Sequence, residues 1–315
     1  MDLSTAVSRA FTPARQPGQV GVEIELIPVA DVDPAVLAAG FDPDFVAAAR
    51  PSFEPGGQLE LSPAPQPTVD ALVHDVRALL RRATDIASGC GVRLEAVGVN
   101  TFSADVPLRT PTPRYLAMQA AFDEIGPCGR RMMRRTASLQ IAVDLLPGAA
   151  GREQWLVANL AGPALAAAFD TSGGERTRIW QGVDLRRTGY DGRHLSATDP
   201  VGAYLAFAAA APALPIPEAV DPRYHLSTLF PPVRPRGGYL EIRYLDAQPL
   251  SRIGDAVSTV TTLLYDARVR REALELLLPR VADQERAWDE AAAGHSPETQ
   301  PLLAIAGTSV LGGVS

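Results

Sequence analysis

The sequence predicts an α+β fold built around a mainly antiparallel sheet, with helices packed on its outer face. Four separate stretches alternate apolar and polar residues with the period of two that is typical of strands. The helical patterns between them do not alternate strictly with the strands, which disfavours a parallel, doubly wound sheet. The 315 residues, 46% hydrophobic and 21% charged, are expected to form one domain over 1–315, with a partly disordered tail over 295–315.

The first strand is predicted over residues 20–27, Val-Gly-Val-Glu-Ile-Glu-Leu-Ile. Its alternation places Glu23 and Glu25 on one face, roughly 7 Å apart, and the aliphatic side chains on the other. Two neighbouring carboxylates repel each other, and burying them without a partner costs free energy. They fit either an exposed edge strand or a metal site with carboxylate ligands, and this stretch alone leaves both interpretations open.

A second strand follows the turn signal Pro-Gly-Gly at residues 55–57. Glu54 lies at its entrance, and Glu60 faces away from two neighbouring leucines. The pattern of one aliphatic and one acidic face is therefore repeated. A helix is predicted to follow over residues 68–88, with Thr68 as its N-cap.

The third and fourth strands are predicted over residues 138–144 and 239–245. Gln140 lies on the polar face of the third strand, and Glu241 and Arg243 share the polar face of the fourth. Further helices are predicted over residues 42–49, 113–125, 152–169 (with Pro163 kinking or splitting it), 199–211, 252–278 and 281–293, and a further strand over 92–99. Residues 171–199, rich in arginine, and 224–238 are expected to be irregular, the former either solvated or close to a ligand.

Helices packed on the aliphatic faces would leave the polar faces to line an open, concave surface. This surface would carry Glu23, Glu25, Glu54, Glu60, Gln140, Glu241 and Arg243. Carboxylates so close together raise one another's pKa and destabilise the fold unless cations share the space. Carboxylate and amide oxygens suit Mg²⁺ or Mn²⁺ better than zinc, and magnesium usually binds phosphates. The pattern indicates a nucleotide or phosphoryl site; the alternative is a structural sheet whose acids face solvent.

The chain contains no lysine, and all 29 basic residues are arginine. This excludes a Walker A lysine and a Schiff-base lysine, so phosphate would be bound by arginine, metal and backbone amides. The net charge of -7 argues against nonspecific nucleic-acid binding, and no apolar run is long enough to cross a membrane. Two cysteines and an N-terminus without a signal-peptide pattern favour a reduced cytoplasm. No nucleic acid, membrane or obligate protein partner is expected.

Four sequence blocks resemble the glutamate–cysteine ligases of the plant and bacterial type, which include the actinobacterial ligase of ergothioneine biosynthesis. The blocks are Gly-Val-Glu-Ile-Glu at 21–25, Phe-Glu-Pro-Gly-Gly-Gln-Leu-Glu-Leu-Ser at 53–62, Met-Met-Arg-Arg-Thr-Ala-Ser-Leu-Gln at 132–140, and 225–249 with its Glu-Ile-Arg-Tyr-Leu-Asp. They span most of the chain in the family's order. The second and fourth blocks are specific, whereas the first would be weak alone.

This resemblance implies a single catalytic domain similar to that of glutamine synthetase, in which an antiparallel sheet forms a half-funnel lined by acids. It implies that ATP and Mg²⁺, or Mn²⁺ in its place, support the joining of the glutamate γ-carboxylate to the cysteine amine. The carboxylate would first be phosphorylated to a γ-glutamyl phosphate, which the amine then attacks. The implied partners are small molecules: glutamate, cysteine and ATP.

The resemblance also assigns individual residues. The magnesium ligands would be Glu23, Glu25, Glu54, Glu60, Gln140 and Glu241. Arg243 would stabilise the transferred phosphoryl group, with Arg236 as a second phosphate contact. The amino-acid end of glutamate would lie at Arg135, Thr136 and Ser138, and bidentate pairing with a carboxylate is the physical reason for an arginine there.

The chain departs from the family pattern at two points. Many relatives have asparagine where this chain has Ala142, and this chain is shorter between residues 27 and 53 and toward its end. These departures concern a polar contact and the loops around the acceptor amine. Two alternatives therefore remain: a ligase that joins glutamate to a different amine, and a non-catalytic relative that binds glutamate or nucleotide.

Overall fold

An antiparallel sheet lies at the centre of the fold, with the first predicted strand in its interior. In the computed structural model, which describes residues 1–103 and 105–308, the strands are β1 (Val20–Pro28), β2 (Ser52–Phe53), β3 (Leu59–Leu61), β4 (Leu94–Glu95), β5 (Leu139–Asp144), β6 (Val233–Pro235) and β7 (Tyr239–Ile242). The strand order is β2–β3–β1–β5–β7–β6, and β4 pairs with the end of β1. All pairings between these strands are antiparallel, which confirms the predicted mainly antiparallel sheet.

Helices make up most of the remaining described chain. They are α1 (Leu3–Ala10), α2 (Pro34–Ala38), α3 (Pro43–Ala49), α4 (Val69–Gly89), α5 (Pro113–Asp123), α6 (Cys128–Arg135), α7 (Gly148–Leu160), α8 (Gly162–Ala168), α9 (Glu175–Gln181), α10 (Leu185–Thr188), α11 (Pro200–Ala210), α12 (Pro222–Ser227), α13 (Leu250–Tyr265), α14 (Ala267–Leu277), α15 (Gln284–Ala292) and α16 (Thr299–Ile305). Two 3₁₀ turns cover Pro217–Val220 and Leu278–Arg280. Within the described ranges, no helix has the length and apolarity needed to span a membrane.

The aliphatic face of the sheet forms the core together with α4, α7 and α13. Val22 of β1, Ile141 of β5 and Ile242 of β7 are all buried there. Burying each such side chain contributes about 1.5–3 kcal/mol. A slip of one residue in strand register would turn these side chains onto the polar face, so the same burial fixes which residues face the site.

Two predicted helices divide in the structure. The helix predicted over 252–278 is interrupted at Asp266, whose carboxylate accepts hydrogen bonds from the first backbone N–H groups of α14 and so caps that helix. A single helix over this range is therefore wrong. The helix predicted over 152–169 splits into α7 and α8 beside Pro163, as expected, because proline cannot donate the hydrogen bond of a continuous helix.

Residues 171–199 are more ordered than predicted, because they contain α9 and α10. Arg176 and Arg187 within them are only 3% exposed. Arg176 donates hydrogen bonds to the backbone carbonyl oxygens of Arg243 at 2.9 Å and Tyr244 at 3.1 Å. The solvated alternative is wrong for these two arginines, which fasten the segment to the rest of the fold.

Other boundaries also differ from the predictions. The strand predicted over 92–99 is reduced to β4, the loop over 224–238 contains β6 and part of α12, and α6 was not predicted. In the tail, α16 buries Leu302 and Leu303, so the expected disorder is not found there. Residues 309–315 lie outside the described residues.

Candidate active site

The polar face of the sheet brings the predicted acids together, because paired residues of antiparallel strands lie on the same side. Glu25 of β1 pairs with Glu60 of β3, and Glu23 pairs with Gln140 of β5. Glu241 lies on β7, the next strand beyond β5. Five of the six positions assigned to magnesium therefore lie on four adjacent strands, as the alternation predicted.

Glu25, Glu54 and Glu60 face a cavity of about 170 Å³. Helices α5, α6 and α9 contribute side chains to its wall, so this end of the polar face is covered. Burial, with repulsion from Glu25, raises the pKa of Glu60 to about 7. The same two causes, with Glu60 as a further neighbour, raise the pKa of Glu54 well above its usual range. The cavity thus contains more carboxyl groups than its own cations can keep ionised.

Glu25 is fixed by hydrogen bonds from β5 and the residue before it. The Ser138 backbone N–H donates to one carboxylate oxygen at 2.8 Å, and the Ser138 hydroxyl donates to the other at 3.0 Å. The Gln140 amide donates to Glu25 at 3.0 Å, and the Gln140 carbonyl oxygen accepts from Arg243 at 2.5 Å. A continuous hydrogen-bond network therefore joins β1, β5 and the residue that follows β7.

Three arginines surround Glu241 at the other end of this network. Arg234 donates two hydrogen bonds to its carboxylate, at 2.8 and 3.0 Å, and Arg243 contacts the same group. Arg236 lies 3.4 Å away and is more exposed. Burial alone would raise the pKa of Glu241, but Arg234 and Arg243 lower it to about 2. Glu241 is therefore a permanently ionised acceptor.

Arg243 has a buried donor that is not used within the described part of the protein. Among the described residues, no hydrogen-bond partner reaches its buried Nε. A buried N–H without a partner is costly, so this atom is well suited to an oxygen of a ligand.

The Pro-Gly-Gly-Gln turn positions Glu54 and Glu60. The Gln58 side chain accepts from the Gly56 backbone at 2.9 Å and donates to the Thr136 carbonyl oxygen at 2.8 Å. A side chain on Gly56 would collide with the backbone of Arg134, with its Cβ 2.1 Å from the carbonyl oxygen. Glycine is thus required for the close approach of this turn to the end of α6.

The three residues assigned to glutamate's amino-acid end are not brought together. Thr136 and Ser138 line the 170 Å³ cavity, and the Thr136 hydroxyl donates to the Met132 carbonyl oxygen at 2.7 Å. The Arg135 guanidinium instead donates to the Asn100 carbonyl oxygen at 2.7 and 3.2 Å. Its hydrogen bonds hold a loop, and it does not line the cavity.

Another arginine does line the cavity, and sequence reasoning missed it. Arg114, at the start of α5, donates to the Ser227 hydroxyl and carbonyl oxygens, both at 2.8 Å. Tyr115 beside it lies close to the acids, and burial, with repulsion from Glu54, raises the pKa of Tyr115 to about 12. No local pattern marks these two residues. Arg234 was also missed, although it alternates with Arg236 in Val-Arg-Pro-Arg and a strand interpretation would have placed both on one face.

A second cavity, of about 240 Å³, adjoins the first along the sheet. Glu23 and Gln140 line both cavities. The second is lined mainly by apolar and small residues toward its far end, among them Gly21, Pro63, Pro65, Ala142 and Tyr239. The polar face therefore offers an acidic, covered end and a more apolar end joined by shared metal-ligand candidates.

The donor set fits magnesium by its chemistry, because it consists of carboxylate and amide oxygens without thiol or imidazole. In the described ranges, no three acidic, His or Cys side chains converge tightly enough to chelate a single ion. The reason is visible in the network: Glu25 is bonded to Ser138 and Gln140, and Glu241 to arginines. Ion binding would require some of these carboxylates to change rotamer. The raised pKa values of Glu54 and Glu60 show where added positive charge would be most stabilising.

The chain was compared with protein-family sequence models and with known proteins. The sequence model described as glutamate–cysteine ligase family 2 matches residues 19–296. The chain is 33% identical over 334 residues to glutamate–cysteine ligase EgtA of Mycolicibacterium smegmatis, a match that covers 87% of this chain and 75% of that protein. These matches confirm the resemblance predicted from the four sequence blocks.

Two further relatives extend the comparison. Glutamate–cysteine ligase EgtA of Mycobacterium tuberculosis is 32% identical, with 76% of this chain and 64% of that protein covered. The chloroplastic glutamate–cysteine ligase of Arabidopsis thaliana is 28% identical, with 74% of this chain and 51% of that protein covered. The chain thus spans about half the length of the plant relative and a larger share of the mycobacterial ones.

Proposed function

The chain belongs to glutamate–cysteine ligase family 2, and from this premise we propose that it joins the γ-carboxylate of L-glutamate to the amine of L-cysteine. The proposed reaction consumes ATP, uses Mg²⁺ and passes through a γ-glutamyl phosphate to γ-glutamylcysteine. The similarity to the mycobacterial EgtA proteins supports ergothioneine biosynthesis as the destination of this product. The antiparallel sheet with its acid-lined face supports the likeness to the glutamine synthetase catalytic domain.

The single observation that carries the proposal is the hydrogen-bond network across the polar face. It links Glu25 through Gln140 and Arg243 to Glu241. Acid oxygens and a guanidinium placed side by side can bind a phosphate chain and its counter-ions at once. A surface that merely faced solvent would need neither this covered cavity nor the fixed rotamers.

The five acids and Gln140 fall into two groups that suit two ions. Glu25, Glu54 and Glu60 form one group around the covered cavity, while Glu23, Gln140 and Glu241 form the other, where the two cavities join. When bound, Mg²⁺ would supply the positive charge that neutralises the phosphates and the glutamate carboxylate. The carboxylate and amide oxygens of the two groups would hold the ions against the polar face of the sheet.

The nucleotide is proposed to occupy the 240 Å³ cavity. Its apolar end, with Pro63, Pro65 and Ala142, offers a surface for a purine base, and its other end leads to Glu23 and Glu241. A phosphate chain lying in this direction would reach Arg243, whose buried Nε is available to donate. Arg236, half exposed beside Glu241, is proposed as the second phosphate contact.

Glutamate is proposed to occupy the covered cavity. Arg114, Thr136 and Ser138 line it, and Arg114 supplies the guanidinium that the sequence interpretation had assigned to Arg135. A carboxylate end paired with Arg114 would leave the γ-carboxylate to point along the sheet toward Arg243. Helices α5, α6 and α9 cover this end and would keep water from an acyl phosphate, which hydrolyses readily.

The identity of the acceptor amine is tested by measuring the phosphate released from ATP in the presence of Mg²⁺ and glutamate. The panel includes cysteine, 2-aminobutyrate and hydroxylamine as acceptors. The proposal expects glutamate-dependent turnover that is fastest with cysteine. Turnover with hydroxylamine but not with cysteine would retain the ligase and remove cysteine, whereas no turnover with any amine would support a binding protein without catalysis.

A further inference from the structure

A third cavity lies outside the acidic face, where the N-terminal helix meets the edge of the sheet. Its volume is about 320 Å³, and α1, α11, α12, β6 and the turn that follows β6 contribute to its wall. Four arginines line it: Arg9, Arg223, Arg234 and Arg236. It shares none of the acidic side chains that line the two cavities described above.

Positive charge exceeds negative charge around this cavity. Arg9 is exposed, and within the described ranges no acidic group forms a salt bridge with it. Arg236 lies 3.4 Å from Glu241, but Arg234 and Arg243 already neutralise that carboxylate. Such an excess is notable in a chain with a net charge of -7.

The remaining arginine has only a weak partner. Arg223 lies 3.3 Å from Asp221, and both side chains are largely exposed, so solvent screens the pair. Its guanidinium can therefore turn to an incoming anion at little cost. Three guanidinium groups around one cavity can surround an oxyanion with many N–H donors, which is the geometry in which arginine binds phosphate best.

The wall of the cavity is held in place by the N-terminal segment. The Gly237 backbone donates to the Ala10 carbonyl oxygen at 2.7 Å, and the Gly238 backbone donates to the Thr12 carbonyl oxygen at 2.8 Å. Helix α1, Ala10 and Thr12 precede residues 19–296, the part of the chain that matches the family, whereas Gly237 and Gly238 lie within it. Arg9 is therefore added to the catalytic sheet by a segment outside the region matched to the family.

We propose that this cavity binds a phosphate-bearing anion, with Arg9, Arg223 and Arg236 as its ligands. The anion could be inorganic, or it could be the phosphate chain of a nucleotide, since both present the same oxygens. Because Arg236 also contacts Glu241, a bound anion shares this arginine with the acidic face. The inference rests on the arginines around the cavity, and at Arg236 alone it also rests on the proposed function, in which this residue is the second phosphate contact.

The test is titration calorimetry of the full chain in EDTA, which removes divalent cations from the acidic face. The probes are tripolyphosphate, inorganic phosphate and ADP. We expect binding that weakens as salt is added, and the probe that binds most tightly identifies the source of the phosphate. In the double variant Arg9→Ala/Arg223→Ala, the affinity should fall by at least about tenfold, because two charge-assisted contacts are lost.

Two control variants separate this cavity from other sites. Arg268→Ala removes an arginine of similar exposure on α14 and should leave the affinity unchanged. Arg243→Ala alters the acidic face and should retain most of the binding. The proposal is overturned if none of the probes binds, if the double variant binds as tightly as the unaltered protein, or if Arg243→Ala abolishes binding while the double variant keeps it. Circular dichroism and a thermal melt of each variant establish that the fold is intact.

Discussion

Carboxylates on the same face of the sheet have opposite electrostatic surroundings. Glu241 is enclosed by guanidinium groups and has a pKa of about 2, whereas Glu60 lies among other acids and has a pKa of about 7. Glu241 already has its counter-charges from the protein, and the group around Glu60 does not. An added cation should therefore matter most at the Glu25, Glu54 and Glu60 end of the face.

Glu25 forms one end of the network and lies among the acids that the protein's own cations do not balance, so its removal should have a large effect on turnover. We expect Glu25→Ala to lower glutamate-dependent ATP hydrolysis at least about a hundredfold, because oriented charge is lost from the reacting end of the cavity. The measurement is phosphate release at saturating ATP and Mg²⁺. Glu95→Ala, which removes an acid paired with Arg93 on β4, is the control and should retain full activity. Near-normal activity of Glu25→Ala would mean that the acidic face is not the site.

The contribution of Arg243 to turnover should depend on the shape of its guanidinium group as well as on its charge. It contacts both Gln140 and Glu241 and retains a free Nε, and a lysine cannot make all of these contacts. We expect Arg243→Lys to lower kcat about a hundredfold with a smaller change in the KM for glutamate. Steady-state kinetics check the split, and a variant whose kcat is unchanged would show that charge alone is sufficient at this position.

Among the elements, the strands and α5 were predictable from the sequence, whereas α6 and α9, which also cover the site, were not. Strand alternation depends on local sequence, so it revealed the shared face of Glu23, Glu60 and Glu241. Helix α6 is short and half of its residues are arginine, with Gly129, Met132 and Met133 on its buried side, and its position depends on packing against the glycine turn. Predicting this part of the cavity wall would therefore have required knowledge of tertiary contacts, which the periodicity of the sequence does not reveal.

The glycine turn before β3 allows a test of how one secondary-structure element is positioned against another. A methyl group at Gly56 would overlap the backbone of Arg134, which cannot move as a flexible side chain could. We expect Gly56→Ala to lower the free energy of unfolding by about 1–3 kcal/mol. The measurement is urea denaturation followed by circular dichroism.

Gly89, the last residue of α4, is the matched control for this substitution. An added Cβ there meets no atom within 4 Å. Gly89→Ala should leave stability unchanged or raise it by up to about 1 kcal/mol, since alanine restricts the unfolded chain. Equal stability of the two variants would show that the turn yields to accommodate the methyl group.

For the molecule as a whole, distant segments are joined by contacts between side chain and backbone. Arg114 and Ser227 are bonded although 113 positions separate them. Such contacts bring Arg114 to the covered cavity, whereas Arg135, which the resemblance assigned to the substrate, is held at the Asn100 carbonyl oxygen. Local sequence marks a residue type, but only packing decides which of several arginines reaches the cavity.

The packing of His194, which lies between α10 and α11, against α7 predicts how the stability of the whole fold depends on pH. His194 is 2% exposed, and its Nε2 lies 2.9 Å from the Asn159 side-chain oxygen. Burial lowers the pKa of His194 from 6.5 to about 4. The unfolded chain therefore binds a proton between these values while the folded chain does not. The stabilisation is complete above about pH 6.5 and is lost as the pH falls toward 4, by about 3 kcal/mol in all.

This contribution is isolated by comparing His194→Gln with the unaltered protein. Glutamine can still donate to Asn159 but does not titrate, so the free energy of unfolding from urea titrations at pH 7.5, 6 and 5 should fall less steeply in the variant. Glu60 also titrates in this range, but its raised pKa has the opposite sign and is common to both proteins. His74→Gln, at an exposed position on α4, should keep the original slope. If His194→Gln also keeps it, the buried imidazole is not the group that makes the fold sensitive to acid.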